Sequence, residues 1–409
     1  MKRKFVVLLS IIWVLSLLLC SCGDNNVQSE SNSLSVTENS SEQPTEYGTE
    51  ISSGMKKVNK PVCLLSGDWV ASMVQVDDHR SIMLIENDAN LLKKAERKIV
   101  LYDFAAEKAI AEQTVESYSL SLHEYSNGVY VTGYTDSPYS TEQIPLSFPV
   151  LITYDFELNI QQEYDFTALG DRVSVENAKL SYDGSKIAYL KNDSMYIYDS
   201  DKPVSNATRL FTLGSGKGMT DISDFDFTQN GKSIACKGKC NNGSKITNGF
   251  GHWDIDGSGN GFGCDNYSEQ LIMGGNKMLM IDQAAPYGST SSGMANIRDF
   301  EKGNSTYITF EKKNESSAAI LSNEGNYIVS YLDGKAIDGK GMIRISIYSS
   351  DTLQKICSYD YTGTSDALSV TTIYANDKYN RVFAFITDGT EQTCIEMIMN
   401  KDATNEANS

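Results

Sequence analysis

The 409-residue sequence predicts an all-β domain in which seven equivalent sheets close into a ring, and three observations carry that expectation. Between about residues 57 and 400 the apolar positions come in short runs rich in Val, Ile, Tyr and Phe, and no long stretch keeps a helical period. One turn-and-strand phrase recurs there in seven copies at intervals of 44 to 56 residues. A second phrase follows each copy of the first by 12 to 24 residues and keeps the same period.

The chain opens MKRKFVVLLSIIWVLSLLLCSCGDNN. Lys2, Arg3 and Lys4 form a basic start, and residues 5–19 form an apolar run too short for a comfortable membrane span. The Leu-Cys-Ser-Cys that follows resembles a bacterial lipobox, in which a small residue precedes the cysteine that becomes lipidated. Cys22, after Ser21, fits that pattern, whereas Cys20, after Leu19, fits it badly. The resemblance implies a signal peptide over 1–21, a lipidated Cys22, and a bacterial lipoprotein held on the extracytoplasmic side of the cell membrane. Two acyl chains suffice for stable attachment.

Residues 22–56 are dominated by Ser, Glu, Asn and Thr, with almost nothing to bury, and are expected to form a disordered polar linker. Its random-coil span is about 30 Å. The folded domain is expected over 57–400, followed by a disordered tail, 401–409. The chain carries 35 basic and 53 acidic residues, a net charge of −18. Without Lys2, Arg3 and Lys4 the balance is 32 against 53, or −21. So acidic a domain excludes bulk electrostatic binding to nucleic acid or anionic headgroups.

Within the domain the first phrase reads YDGSKIAYL (182–190), QNGKSIACK (229–237), GGNKMLMID (274–282) and NEGNYIVSY (323–331). Weaker copies are DHRSIMLIE (78–86), SNGVYVTGY (126–134) and DKYNRVFAF (377–385). The anchors of the strand are Ile82, Val131, Ile187, Ile234, Met278, Ile328 and Val382. The second phrase reads VLYDF (100–104), ITYDF (152–156), YIYDS (196–200), HWDID (252–256), NIRDF (296–300), ISIYSS (345–350) and, poorly, IEMIMN (395–400). Seven units of about 50 residues with about four strands each match the blade arithmetic of a seven-bladed β-propeller. These phrases resemble the TolB-type and WD40-like propeller repeats of bacterial exported proteins. The resemblance is clearest in units three, four and six; it implies architecture far more than activity, because propellers host unrelated functions.

Three strands but no fourth are visible in the last unit, so an N-terminal strand is expected to complete blade seven, near Asn59-Lys60-Pro61-Val62-Cys63-Leu64-Leu65. On that expectation Cys63 and Cys394 are neighbours and a candidate disulfide. HWDIDGSGNGFGCD (252–265) interleaves Asp254, Asp256 and Ser258 with glycines, as a calcium loop does. Asp254, however, occupies the column of Asp103, Asp155, Asp199 and Asp299, where the third strand of a unit turns into the fourth. The segment is therefore read as a hairpin turn with Gly257 at positive φ, and metal binding by Asp254, Asp256 and Ser258 is the weaker alternative. Cys236, Cys240 and Cys264 with His252 offer only one close-spaced pair, so no zinc site is expected.

No nucleophile elbow and no phosphate-binding loop is present. No catalytic residue and no cofactor is assigned. Loops between second and third strands are long at 134–149, 238–251 and 283–295, which makes Tyr134, Tyr139 and Tyr287 the candidate ligand contacts. The expected function is a non-catalytic scaffold for a protein, small-molecule or glycan ligand. The alternative is a carbohydrate- or peptide-acting hydrolase using channel carboxylates.

Overall fold

The computed structural model describes residues 49–52, 55–58, 67–87, 94–134, 149–169, 175–214, 218–241, 246–263, 271–282, 294–310, 318–335, 339–366, 368–389 and 391–399. The chain divides into two units between Thr45 and Glu46, and every described residue belongs to the second.

That unit is a seven-bladed β-propeller with no α-helix among the described residues. Two strands, β1 (Thr49–Ser52) and β2 (Met55–Val58), precede the first blade. Blade one is β3 (Asp68–Gln75), β4 (Arg80–Asn87), β5 (Ala95–Asp103) and β6 (Lys108–Ser117). Blade two is β7 (Ser119–Tyr125), β8 (Gly128–Tyr134), β9 (Pro149–Tyr154) and β10 (Ile160–Glu163). Blade three is β11 (Val175–Leu180), β12 (Lys186–Lys191), β13 (Ser194–Asp199) and β14 (Thr208–Thr212). Blade four is β15 (Met219–Phe227), β16 (Ser233–Asn241), β17 (Ile246–Asp254) and β18 (Gly259–Gly263). Blade five is β19 (Ile272–Gly274), β20 (Lys277–Asp282), β21 (Met294–Asp299) and β22 (Asn304–Thr309). Blade six is β23 (Ala319–Leu321), β24 (Tyr327–Lys335), β25 (Gly341–Ser349) and β26 (Lys355–Thr362). Blade seven uses β27 (Leu368–Asn376), β28 (Arg381–Asp388) and β29 (Glu391–Ile398), and borrows β2 and β1 in the order β1-β2-β29-β28-β27.

The recurring phrase marks the turn from first to second strand. All seven anchors lie on second strands, and each is fully buried. A second strand has neighbouring blades against both faces, so it reads as a continuous apolar run; β28 (RVFAFITD) is buried from Val382 through Ile386. Outer strands face water: β10 is exposed throughout. The turn itself has one repeated wiring. In blade three the Gly184 N–H donates to the Ser181 carbonyl at 2.8 Å, and Lys186 N–H donates to the Ser181 hydroxyl at 2.9 Å. Thr228 with Gly231 and Ser322 with Gly325 repeat it, each glycine at positive φ.

Closure follows the expected plan with a shifted boundary. The strand that pairs with β29 is Met55–Val58, ahead of the expected 59–65, and a further strand, β1, lies outside it; β1 and the first half of β2 fall in the stretch expected to be linker. The physical reason is side-chain alternation: Met55 and Val58, three residues apart on a strand, point to opposite faces. Met55 packs with Ile343, Ile345 and Met397 between blades six and seven, whereas Val58 packs with Val70, Met83 and Phe385 between blades seven and one. Two apolar residues at that spacing are enough to specify a closing strand in an otherwise polar stretch. The register sets Val58 opposite Cys394, which is buried and carries a free thiol; Cys63 lies outside the described residues. Closure among the described residues is thus made by backbone pairing and apolar burial. Across the seam, the Thr372 hydroxyl donates to the Val70 carbonyl and the Tyr379 hydroxyl to the Val76 carbonyl.

Candidate functional site

The first strands of the blades line the axis, and their C-terminal ends converge on one face. There a cavity of about 170 Å³ is walled by His123, Glu124 and Tyr130 of blade two, Tyr182 of blade three, Asp226 and Gln229 of blade four, Gly274 of blade five and Asn323 of blade six, among others. The turns at this face are stitched together by backbone bonds that run from blade to blade. Ser126 N–H donates to Tyr182 (2.7 Å), Gln229 to Gly275 (2.9 Å), Gly275 to Asn323 (2.9 Å) and Asn323 to Ala375 (3.1 Å), each to a carbonyl. Gly275 sits at positive φ, and a Cβ there would lie 2.1 Å from the Glu324 carbonyl oxygen, so the turns of blades five and six can meet only with glycine.

Among the described residues, one side-chain bond crosses the axis. The Asn323 amide of blade six donates to Glu124 Oε2 of blade two at 3.2 Å, while its own carbonyl oxygen accepts from the Asp377 N–H at 2.9 Å. Burial raises the Glu124 carboxyl above its usual range; the nearby charges of Glu324 and Asp377 add to the rise, and the Asn323 amide and Lys378 oppose it. Asp226 is also raised, first by burial and further by Asp224, against the pull of Lys179 and the Phe227 N–H. The Lys179 ammonium lies 3.0 Å from His123 Nε2. Burial and that cation hold His123 well below its ordinary value, so the ring is neutral and accepts from the ammonium. His123 also stacks on Tyr130, with centroids 4.9 Å apart. Burial likewise raises the Tyr182 phenol, and the charge of Glu124 adds to the rise.

Lys179 thus has a neutral histidine and Asp226 about it, whereas Glu124 has an amide, two more carboxylates and the exposed Lys378. The chemistry available is recognition of positive charge and of hydrogen-bond donors, or proton donation by a carboxyl that holds its proton above the usual range.

Of the ligand contacts singled out from the sequence, only Tyr134 is among the described residues, and it falls elsewhere. Tyr134 ends β8, at the opposite end of that strand from the cavity, and its carbonyl accepts from the Tyr118 N–H at 2.7 Å. Tyr139, Tyr287 and Cys22 lie outside the described residues. The expected long loop at 238–251 is mostly strand, because β16 and β17 continue to Asn241 and from Ile246. Its glycines allow close packing inside the sheet; a Cβ on Gly251 would lie 2.1 Å from the ring of the buried Trp253.

The segment at 254–258 is a hairpin turn, as expected. Gly257, at φ +87°, donates to the Asp254 carbonyl at 2.8 Å, and the Ser258 N–H donates to Asp256 Oδ1 at 2.8 Å. The Asp254 carboxylate accepts from the Ser233 hydroxyl at 2.8 Å and the Ser258 hydroxyl at 3.3 Å. Asp103, Asp155 and Asp299 accept backbone N–H bonds at the equivalent turns. Among the described residues no three His, Cys, Asp or Glu side chains are grouped to hold a metal ion.

Glu124, Lys179 and Asp226 were legible only as charged residues near the C-terminal ends of mixed polar and apolar first strands, just before the turn phrase. In so acidic a chain that signal does not stand out.

No protein-family model and no curated protein sequence matches the chain. Solved structures do. A prolyl endopeptidase, from a study of inter-domain dynamics in catalysis and specificity, is similar with a TM-score of 0.53 at 8% identity, over 80% of this chain and 46% of that one. The WD40 domain of SCAP from fission yeast gives a TM-score of 0.41 at 9% identity, over 86% of this chain and all of that one. A TolB from Agrobacterium tumefaciens gives 0.33 at 12% identity, over 56% and 73%. These likenesses concern the fold: the chain is a β-propeller whose structural neighbours include TolB and WD40 propellers.

Proposed function

We propose that the chain is a lipid-anchored, extracytoplasmic propeller acting as a non-catalytic binding or scaffold module, with the channel cavity as its ligand site. The observation that carries this reading is the Asn323–Glu124 bridge, which commits a buried carboxylate to a link across the axis, inside a cavity walled by five blades. A preformed cavity on a latched ring binds without paying to order its walls. The address rests on Lys2, Arg3, Lys4, the apolar run after them, and Ser21-Cys22. Cys22→Ser should move the protein from the membrane fraction to the soluble one. A panel of glycosides, peptides and lactones should show no turnover by the full-length chain.

A channel hydrolase is the second reading, favoured by the upward shift of two carboxyls in one cavity, Glu124 and Asp226. It predicts turnover of a panel substrate that disappears in Glu124→Gln and Asp226→Asn. That result would overturn the binding-module reading.

A further inference from the structure

We infer that the channel cavity takes a small primary ammonium group, with Glu124 as its anionic anchor. The inference rests on the binding-module reading and names its ligand class. Charge comes first. Around the cavity and its rim stand Glu124, Asp224, Asp226, Glu324 and Asp377, against Lys179 and the exposed Lys378. Lys179 faces Asp226 and His123, and the cation that acts on Glu124 is the exposed Lys378, so among the described residues no cationic side chain lines the cavity beside Glu124. A buried carboxylate without a cation is costly, and a bound cation removes that cost.

Hydrogen bonding narrows the choice of cation. Gln75 Oε1 and Asp377 Oδ1 are buried acceptors with no donor, on residues 3% and 5% exposed at this end of the channel. Two buried acceptors thus stay open at the same end of the channel as the Glu124 carboxylate. An ammonium group brings three N–H donors and no acceptor. A divalent cation would need several oxygen ligands of its own, and the described residues supply no such cluster. Tyr130, Tyr182 and Phe227 line the cavity and suit a short alkyl chain, with cation–π attraction to the ring faces. At about 170 Å³ the cavity suits a ligand smaller than the drug-sized molecules that fill roughly 300–1,000 Å³.

The test is calorimetric titration of the full-length chain with n-butylamine, with Nα-acetyl-lysine amide to represent a lysine side chain, and with 1-butanol as the uncharged control. Butylamine should saturate and butanol should not. Comparable binding of the lysine amide would identify a lysine side chain as a second source of the same group. Glu124→Gln keeps an acceptor for Asn323 and should weaken butylamine at least tenfold. Affinity in the parent chain should rise with pH through the elevated Glu124 range. Equal binding of butanol, undiminished affinity in Glu124→Gln, or no saturable amine binding by the folded chain overturns the proposal. None of those results bears on whether the chain turns over a substrate, which the hydrolysis panel reads separately.

Discussion

Removing the two apolar side chains of the closing strand should unlock the ring. Met55 is fully buried between blades six and seven, and Val58 is 1% exposed between blades seven and one. Met→Ala in a core costs about 2–5 kcal/mol. Val→Ala removes two methyl groups, or roughly 2 kcal/mol with its cavity. The side chains belong to different clusters on opposite faces of the strand, so the effects should nearly add, to about 4 kcal/mol or more. Against a total stability of about 5–15 kcal/mol, that is a large share. In urea, with a slope of about 3 kcal/mol per molar, the midpoint for Met55→Ala/Val58→Ala should fall by about 1 M. Lys57→Ala, between them and exposed, should change stability by no more than about 0.5 kcal/mol. The single variants should sum to the double. A double variant with an unchanged midpoint would mean that β2 adds no stability to blade seven. A loss in Lys57→Ala as large as in the double would mean that the Lys57 side chain, rather than apolar burial, holds the seam.

Gly251→Ala should destabilise by about 1–3 kcal/mol through overpacking. Its Cβ would meet Trp253, which stacks on Phe211 at 4.1 Å, so the tryptophan emission should shift with the loss. Asp388 accepts from Thr364 N–H at 2.6 Å and Ser365 N–H at 2.8 Å; these bonds outweigh partial burial and lower its carboxyl below the ordinary value of 3.8. Its folded value is depressed, so its contribution is present above about pH 4 and is lost as pH falls through the lowered value. Asp388→Asn should flatten the acid limb of stability against pH. Glu124 has the opposite sign: a carboxyl raised in the folded state binds its proton more tightly there, and stability falls as pH rises from about 4.5 through the raised value. Glu124→Gln should therefore be more stable than the parent at neutral pH, measured by thermal melts at pH 4 and pH 7.

The ring was legible because its physics is local and repeated. A Ser or Thr hydroxyl, a glycine at positive φ and a buried anchor recur in adjacent positions, so the period survives substitution elsewhere. The Asp254 turn was legible for the same reason, since equivalent carboxylates sit at the same strand end in other blades. The closing strand was harder. Four residues with only Met55 and Val58 apolar look like linker until both neighbouring interfaces are in place to bury them. The hairpin of blade four was misjudged because glycine signals a loop in a sequence, whereas Gly238, Gly249 and Gly251 sit where another chain segment comes too close for a Cβ. The cavity was not legible at all. Glu124 and Asn323 are 199 residues apart, and only closure of the ring brings them together.

That separation bears on why the carboxylate is tolerated. Replacing Glu124 with an apolar residue would remove a desolvated charge, but it would also leave the Asn323 amide without its acceptor in the middle of the ring. Asn323 is the busiest residue of the latched face: its N–H, its carbonyl and both ends of its amide link blades two, five, six and seven. A purely structural role for position 124 would be met as well by glutamine, which accepts the same bond and carries no charge. The carboxylate at that position therefore contributes something that the ring's own wiring does not require. A cation arriving from solvent is the simplest group to answer it.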